Sequence, residues 1–247
     1  MTAPVLFIGG MDSSGGAGLL RDTATAHDLQ VSYRVAVTAV TAQSDGKVTA
    51  IHPVPPDIVA AQIAIAAQDA IGAVKIGMLG NRAIVEAIAG SLPNAPVVLD
   101  PVLASSSGHA LLDPDGRAAM LELLLPRTSL LTPNLPEFGI LARALGHDPA
   151  AEEERVIETL FARGCGAVLV KGGHTAQSAS SDDRLYHPDG RMNTFTAPRF
   201  PVKLRGTGCQ LASGIAASLS RGTSLEQAVS HAKMNLTERF AKIAVQA

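Results

Sequence analysis

The chain has 247 residues, a formal net charge of -2 and 47% hydrophobic residues. That length suits one large α/β domain or two small ones, and the balanced charge argues against binding nucleic acid or an anionic membrane through bulk charge. Aromatic residues make up only 3%, without Trp, which disfavours a base-stacking surface; the two cysteines, Cys165 and Cys209, are too few for a disulfide framework and lack metal-site spacing.

Short apolar runs alternate with helical patterns along the chain. Val5–Ile8 reads as a buried strand that ends in a glycine turn, and a helix is expected from Gly18 to Leu29. Tyr33–Thr41 is strand-like and runs to Gln43. Pro56–Ala70 reads as a helix, Ala73–Ile76 as a strand and Asn81–Ala89 as a helix. Pro96–Asp100 is a strand closed by a carboxylate, followed by a helix over Asp113–Leu125. Ser129–Thr132 is a strand running into Pro133-Asn134-Leu135-Pro136-Glu137. A helix over Glu152–Arg163 precedes the strand Ala167–Val170, which ends at Lys171-Gly172-Gly173-His174. Arg184–Tyr186 and Asn193–Thr196 suggest a short antiparallel pair, and helices follow over 208–220 and 224–243. Strands alternating with helices predict a mostly parallel sheet covered on both faces. Without an internal repeat or a Gly/Ser linker, one domain over residues 1–247 is expected. No stretch offers about 18 apolar residues, and the N-terminus lacks a signal-peptide pattern, so the expectation is a cytoplasmic protein with no membrane span.

Ligands of open α/β sheets bind beyond the carboxyl ends of the strands. Gly10, Gln43, Met78, Asp100, Asn134, Glu137 and Lys171 all fall at such ends, which points to one shared site. Arg205-Gly206-Thr207-Gly208-Cys209 is a second glycine turn feeding a helix, whose outward N–H groups suit a phosphate or a developing oxyanion. Cys209 is either a small buried hydrophobe or, at a helix start that favours the thiolate, a base. Asp100 is either a turn cap or a Mg²⁺ ligand. Asn134 and Glu137 match an ordinary helix start as well as a metal and phosphate site. Lys171 is either part of a plain turn or a point charge for nucleotide phosphates. Cys165 reads as structural. The first glycine turn lacks the Lys-Ser/Thr of a P-loop and a clean Gly-x-Gly-x-x-Gly, which excludes an ordinary P-loop enzyme and disfavours a Rossmann oxidoreductase.

Taken in order, Gly10, Asp12 to Gly18, Asp22, Thr38 to Gln43, Lys75 to Met78, Leu99 to Val102, Thr132 to Glu137, Val170 to His174 and Gly206 to Cys209 resemble the hydroxymethylpyrimidine/phosphomethylpyrimidine kinases of thiamine biosynthesis. The resemblance runs from about residue 5 to 235. It implies a ribokinase-like three-layer α/β/α sandwich with a mainly parallel central sheet, and transfer of the ATP γ-phosphate to 4-amino-5-hydroxymethyl-2-methylpyrimidine and then to its monophosphate. It further implies Mg²⁺ as cofactor and a homodimer. Residue by residue, Gly10, Ala17, Gln43, Met78 and Val102 would line the pyrimidine pocket. Lys171, Gly173 and Asn134 would lie on the nucleotide side, Asp100 and Glu137 would organise Mg²⁺, and Gly206, Thr207, Gly208 and Cys209 would form the anion hole, with Cys209 as base. The chain departs from the family pattern after Gly18, where Leu20 and Ala24 replace a glutamine and a lysine. It departs also at Ser44, at Gln210, and at Arg205 where a histidine is usual. Arg205 is expected to add positive charge beside the anion hole and help hold a phosphorylated substrate. A pyridoxal-type vitamin kinase and a non-catalytic pyrimidine-binding protein remain as alternative readings.

Overall fold

The computed structural model describes residues 2–105, 108, 110–172 and 180–246. Among the described residues nine strands form one sheet in the order β3-β2-β1-β4-β5-β6-β7-β8-β9. The strands are β1 (Val5–Asp12), β2 (Tyr33–Gln43), β3 (Val48–Pro53), β4 (Ala73–Ile76), β5 (Val97–Leu99), β6 (Leu130–Leu131), β7 (Val168–Val170), β8 (Ser180–Tyr186) and β9 (Met192–Pro198). The helices are α1 (Gly18–Asp28), α2 (Pro56–Ala66), α3 (Arg82–Ser91), α4 (Pro114–Ala119), α5 (Leu135–Ala144), α6 (Glu153–Ala162), α7 (Thr207–Leu219) and α8 (Leu225–Gln246). Strands β2, β1, β4, β5, β6 and β7 are parallel neighbours, whereas β3, β8 and β9 pair antiparallel. The chain thus places β2 on one side of β1 and β4 on the other. That reversal opens a crevice at the carboxyl ends of β1 and β4, where α/β sheets take ligands.

The inner strands β1, β4, β5, β6 and β7 bury both faces, so they read as continuous apolar runs rather than alternating ones. Leu6, Ile8, Val74, Ile76, Val97 and Leu99 pack toward α2, α3, α4, α5 and α6. The alternate residues Val5, Phe7, Val98, Leu130 and Leu169 pack toward α1, α7 and α8. The period of two along each strand therefore sorts one apolar run into two separate cores.

Several elements differ from the sequence reading. β3 is unexpected: Val48–Pro53 is a half-exposed antiparallel edge strand with its proline at the end, which weakens any periodic signal. α5 is the helix whose start Asn134 and Glu137 mark, capped by Asn134 with Pro136 in its first turn, although the sequence reading gave it no length. The single helix expected over Asp113–Leu125 is instead α4, capped by Asp113, then a π-helical turn over Met120–Leu124 and a 3-10 turn containing Pro126. α2 stops at Ala66, short of Ala70. The β8–β9 pair is longer than expected, although its register sets Arg184 against Thr194 as the short pair required.

Candidate active site

α7 begins at a backbone corner. Its N-cap, Gly206, is left-handed at φ 68°, and a Cβ there would overlap the carbonyl oxygen of Gly16. Only glycine allows this corner to press against the first glycine turn. Gln210 N–H donates back to the Gly206 carbonyl at 2.8 Å, closing the first helical turn. The N–H groups of Thr207, Gly208 and Cys209 have no protein acceptor among the described residues, as expected of a helix start open to an anion.

Gly208 lies against a buried ion pair. Lys171 Nζ donates to Asp100 Oδ1 at 2.8 Å, and Thr132 Oγ1 donates to the same oxygen at 3.2 Å. A Cβ on Gly208 would sit 3.2 Å from Lys171 Nζ and 3.7 Å from Asp100 Oδ2. Lys171 also bridges Asn134 in register, which brings the start of α5 alongside. There Glu137 N–H donates to Asn134 Oδ1, and Asn134 N–H donates to Glu137 Oε2, both at 2.8 Å. Burial pushes the Glu137 carboxyl up to about 7; Lys171 opposes the rise and Asp100 adds to it. Burial works against the charge on Lys171, but Asp100 and Glu137 outweigh it and raise its pKa. Asp100, Glu137, Lys171 and the start of α7 therefore meet at one place.

Cys209 faces the interior from that helix start. The residue as a whole is part-buried, but its thiol is enclosed enough that desolvation pushes it up to about 11 against the pull of Lys75, while Asp22 and Asp100 reinforce the rise. The helix start that favours the thiolate is thus opposed by its surroundings: a helix N-terminus contributes a fraction of a charge, and burial outweighs it. Beneath the thiol, Lys75 Nζ holds both carboxylate oxygens of Asp22, at 2.8 and 3.0 Å. Sequence reading assigned this pair no role. Its signal was a lone lysine between Val74 and Ile76 in a buried strand, since such a charge requires a partner.

The expected acceptor residues gather on the other side of the crevice. Met78, 8% exposed, packs with Ala39 and Leu111, and Val102 and Ile51 border the same cluster. A Cβ on Gly10 would lie 2.8 Å from Met78 Sδ, so that glycine leaves the room Met78 fills. Thr38 Oγ1 donates to the Met78 carbonyl at 2.6 Å and fixes it. Gln43 N–H donates to Ser13 Oγ at 2.9 Å, and Ala17 N–H donates to Asp12 Oδ2 at 3.0 Å, tying both to the glycine turn. Ala39, Leu111 and Asp12 were missed as site neighbours; for Asp12 the signal was an acidic residue heading a Ser-Ser-Gly turn. Gly173 lies outside the described residues.

Arg205, expected to add positive charge beside the anion hole, is already paired. Its Nη2 donates to Asp12 Oδ2 at 3.0 Å, and its Nη1 donates to Ser14 Oγ and to Asp45 Oδ1, each at 2.7 Å. Two carboxylates thus already offset its charge. Two surface clefts of about 600 and 440 Å³, bordered by Tyr33 and Ile65 and by Phe195 and Met234, lie away from this constellation. Among the described residues no helix is long and apolar enough to cross a membrane, and no group of three His, Cys, Asp or Glu side chains is placed to cage a metal.

Comparison with known proteins gives a consistent picture. The family model for phosphomethylpyrimidine kinase matches residues 12–246. A hydroxymethylpyrimidine/phosphomethylpyrimidine kinase of Rhizobium meliloti is 42% identical over 241 residues, covering 96% of this chain and 90% of the relative. Among solved structures, the phosphomethylpyrimidine kinase of Clostridium difficile 630 superposes with a TM-score of 0.81 at 31% identity, over 96% of this chain and 99% of that one. The pyridoxal kinase of Staphylococcus aureus in complex with pyridoxal reaches 0.84 at 29% identity, over 98% and 88%.

Proposed function

The chain belongs to the phosphomethylpyrimidine kinase family, and from that premise we propose how its residues divide the work. It is an ATP-dependent hydroxymethylpyrimidine/phosphomethylpyrimidine kinase of thiamine biosynthesis. The observation that carries the assignment of parts is the convergence of Asp100, Glu137, Lys171 and the α7 start beside the Gly10–Met78 pocket. Phosphoryl transfer needs alignment and charge neutralisation more than covalent help from the protein.

Gly10, Ala17, Gln43, Met78 and Val102 hold the pyrimidine, with Met78 and Val102 against the ring and Gln43 at its polar edge. Lys171, Asn134 and Gly173 serve the nucleotide side. The N–H groups from Thr207 to Cys209 receive the charge that gathers on the transferred phosphoryl. Asp100 and Glu137 suit Mg²⁺: two carboxylates beside one lysine match an ion that takes one or two carboxylates and otherwise keeps water and phosphate oxygens. The ion would neutralise phosphate charge there. Cys209 takes the proton of the primary alcohol. With the thiol at about 11, on the order of one in 10⁴ is ionised at pH 7, so Lys75 beneath it matters to the rate.

The reading includes one ribokinase-like domain with three α/β/α layers, which the two opposed cores support. It also includes cytoplasmic action, supported by two free cysteines, and a homodimer, supported by family resemblance. The experiment is to incubate the protein with Mg²⁺-ATP and, separately, hydroxymethylpyrimidine, its monophosphate and pyridoxal, and to identify products by mass spectrometry. Mono- and diphosphate of the pyrimidine are expected. Phosphorylation of pyridoxal alone would move the substrate while keeping the transfer machinery.

A further inference from the structure

Three segments meet where Arg205 lies: the glycine turn after β1, the tip of the β2–β3 hairpin and the loop that opens α7. We propose that Arg205 is a positioning residue that locks these three segments together and thereby sets the acceptor pocket at its working distance from the transfer site. The proposal rests on the acceptor pocket as assigned above.

The geometry is that of a planar fork with a separate partner for each tine. Asp12, which takes Nη2, is buried at 4% exposure and already accepts Ser14 N–H, Ser14 Oγ–H and Ala17 N–H. It therefore shapes the turn internally and presents it to the guanidinium. Nη1 reaches Ser14 on the same turn and Asp45 on the hairpin. The turn is bare where the arginine passes: a Cβ on Gly16 would lie 2.8 Å from Nη1. Arg205 Nε is buried without a hydrogen-bond partner among the described residues, so only the two terminal nitrogens orient the fork. A lysine could not span both carboxylates in this way, because it offers a point charge and not a fork.

The two links differ in strength. The Asp12 link is enclosed, at 17% and 5% side-chain exposure for Arg205 and Asp12. The Asp45 carboxylate is 87% exposed, and an ion pair of that kind shifts an equilibrium by at most about fivefold. The Asp45 link is therefore the weaker hold, and the Asp12 link is the one that joins the turn to the α7 start. Gln43 is tied to the same turn through Ser13, which bonds to its backbone N–H and carbonyl.

The test uses the full chain and the variants Arg205→Ala, Arg205→Lys, Asp45→Ala and Arg205→Ala/Asp45→Ala. The readouts are amide hydrogen exchange over residues 43–47 and separate KM values for hydroxymethylpyrimidine and ATP. In Arg205→Ala, hairpin exchange should speed up and the pyrimidine KM rise about tenfold, with the ATP KM within about twofold. Asp45→Ala should give a smaller rise, up to about fivefold, and add nothing in the Arg205→Ala background. Arg205→Lys should recover only part of the loss. Unchanged hairpin exchange, an equal rise of both KM values with a fall in Tm, or full recovery with lysine would each overturn the proposal. Met78→Ala separates the two ideas. An unchanged pyrimidine KM in that variant removes the pocket assignment, whereas hairpin exchange still reports on Arg205.

Discussion

Lys75→Met removes the cation from the most enclosed ion pair among the described residues. Lys75 is 1% exposed and Asp22 0%, and the ammonium touches both carboxylate oxygens. Methionine keeps the length of the lysine stem and discards its charge. Asp22 is then left in a dry site with no counter-charge. Burial already raises its carboxyl to about 6 with Lys75 in place, so without the lysine it must take up a proton on folding at pH 7. Breaking a buried pair from one side costs about 3–5 kcal/mol, a large share of the roughly 5–15 kcal/mol that holds a domain together. For 247 residues the unfolding entropy is about 0.5 kcal/mol/K, so Tm should fall by about 6–10 °C. Asp22→Leu should cost a similar amount. The double variant Lys75→Met/Asp22→Leu should lose less than either single change, because it leaves no lone charge behind. Urea and thermal unfolding of the four proteins at pH 7 give the cycle. If the two single losses simply add, the charges do not support one another and the reasoning fails.

Three further outcomes follow from the site. Cys209→Ala should lower turnover by ~10²–10⁴ while ATP affinity, measured by calorimetry, stays near wild type; undiminished turnover would take Cys209 out of the chemistry. Because burial holds the Cys209 thiol near 11, its ionised fraction grows with pH all through the neutral range. Single-turnover rates should accordingly climb up to about tenfold per pH unit between pH 7 and 9, and a flat profile would mean that some other group accepts the proton. Gly208→Ala places a methyl group 3.2 Å from Lys171 Nζ and 3.7 Å from Asp100 Oδ2. Displacing that pair should cut kcat by about 10–100-fold with the fold intact by circular dichroism, and a near-normal kcat would show that the α7 start has room to spare.

The polar residues at strand ends were legible because a parallel sheet buried on both faces writes its strands as apolar runs, and whatever follows the run stands at the carboxyl edge. Asp100, Lys171 and Met78 announce themselves in this way. Asn134 and Glu137 carried two readings, cap and site; the structure forms the capping box and sets it beside Lys171. What escaped the sequence was whatever depends on distant segments. β3 exists because β2 offers it an edge, not because Val48–Pro53 has a strong strand pattern. The proton affinity of Cys209 follows from how deeply α7 is seated over Lys75 and Asp22, which no local motif encodes. Arg205 reads as a spare positive charge until Asp12 and Asp45, 193 and 160 positions away, are seen to claim it.

A ribosome releases α7 and α8 after every strand of the sheet. Until they emerge, Phe7, Val98, Leu130 and Leu169 have only α1, through Leu19 and Ala26, as helical cover on that side of the sheet, since Leu211, Ile215 and Val229 are still unmade. The nascent chain therefore carries a broad apolar face through most of its synthesis, the kind of surface that draws chaperones or self-association. The cover, when it arrives, begins at Gly206 to Cys209. The segment that finishes the second core is thus also the one that brings the α7 start to Asp100 and Lys171, so one event closes the apolar face and assembles that cluster.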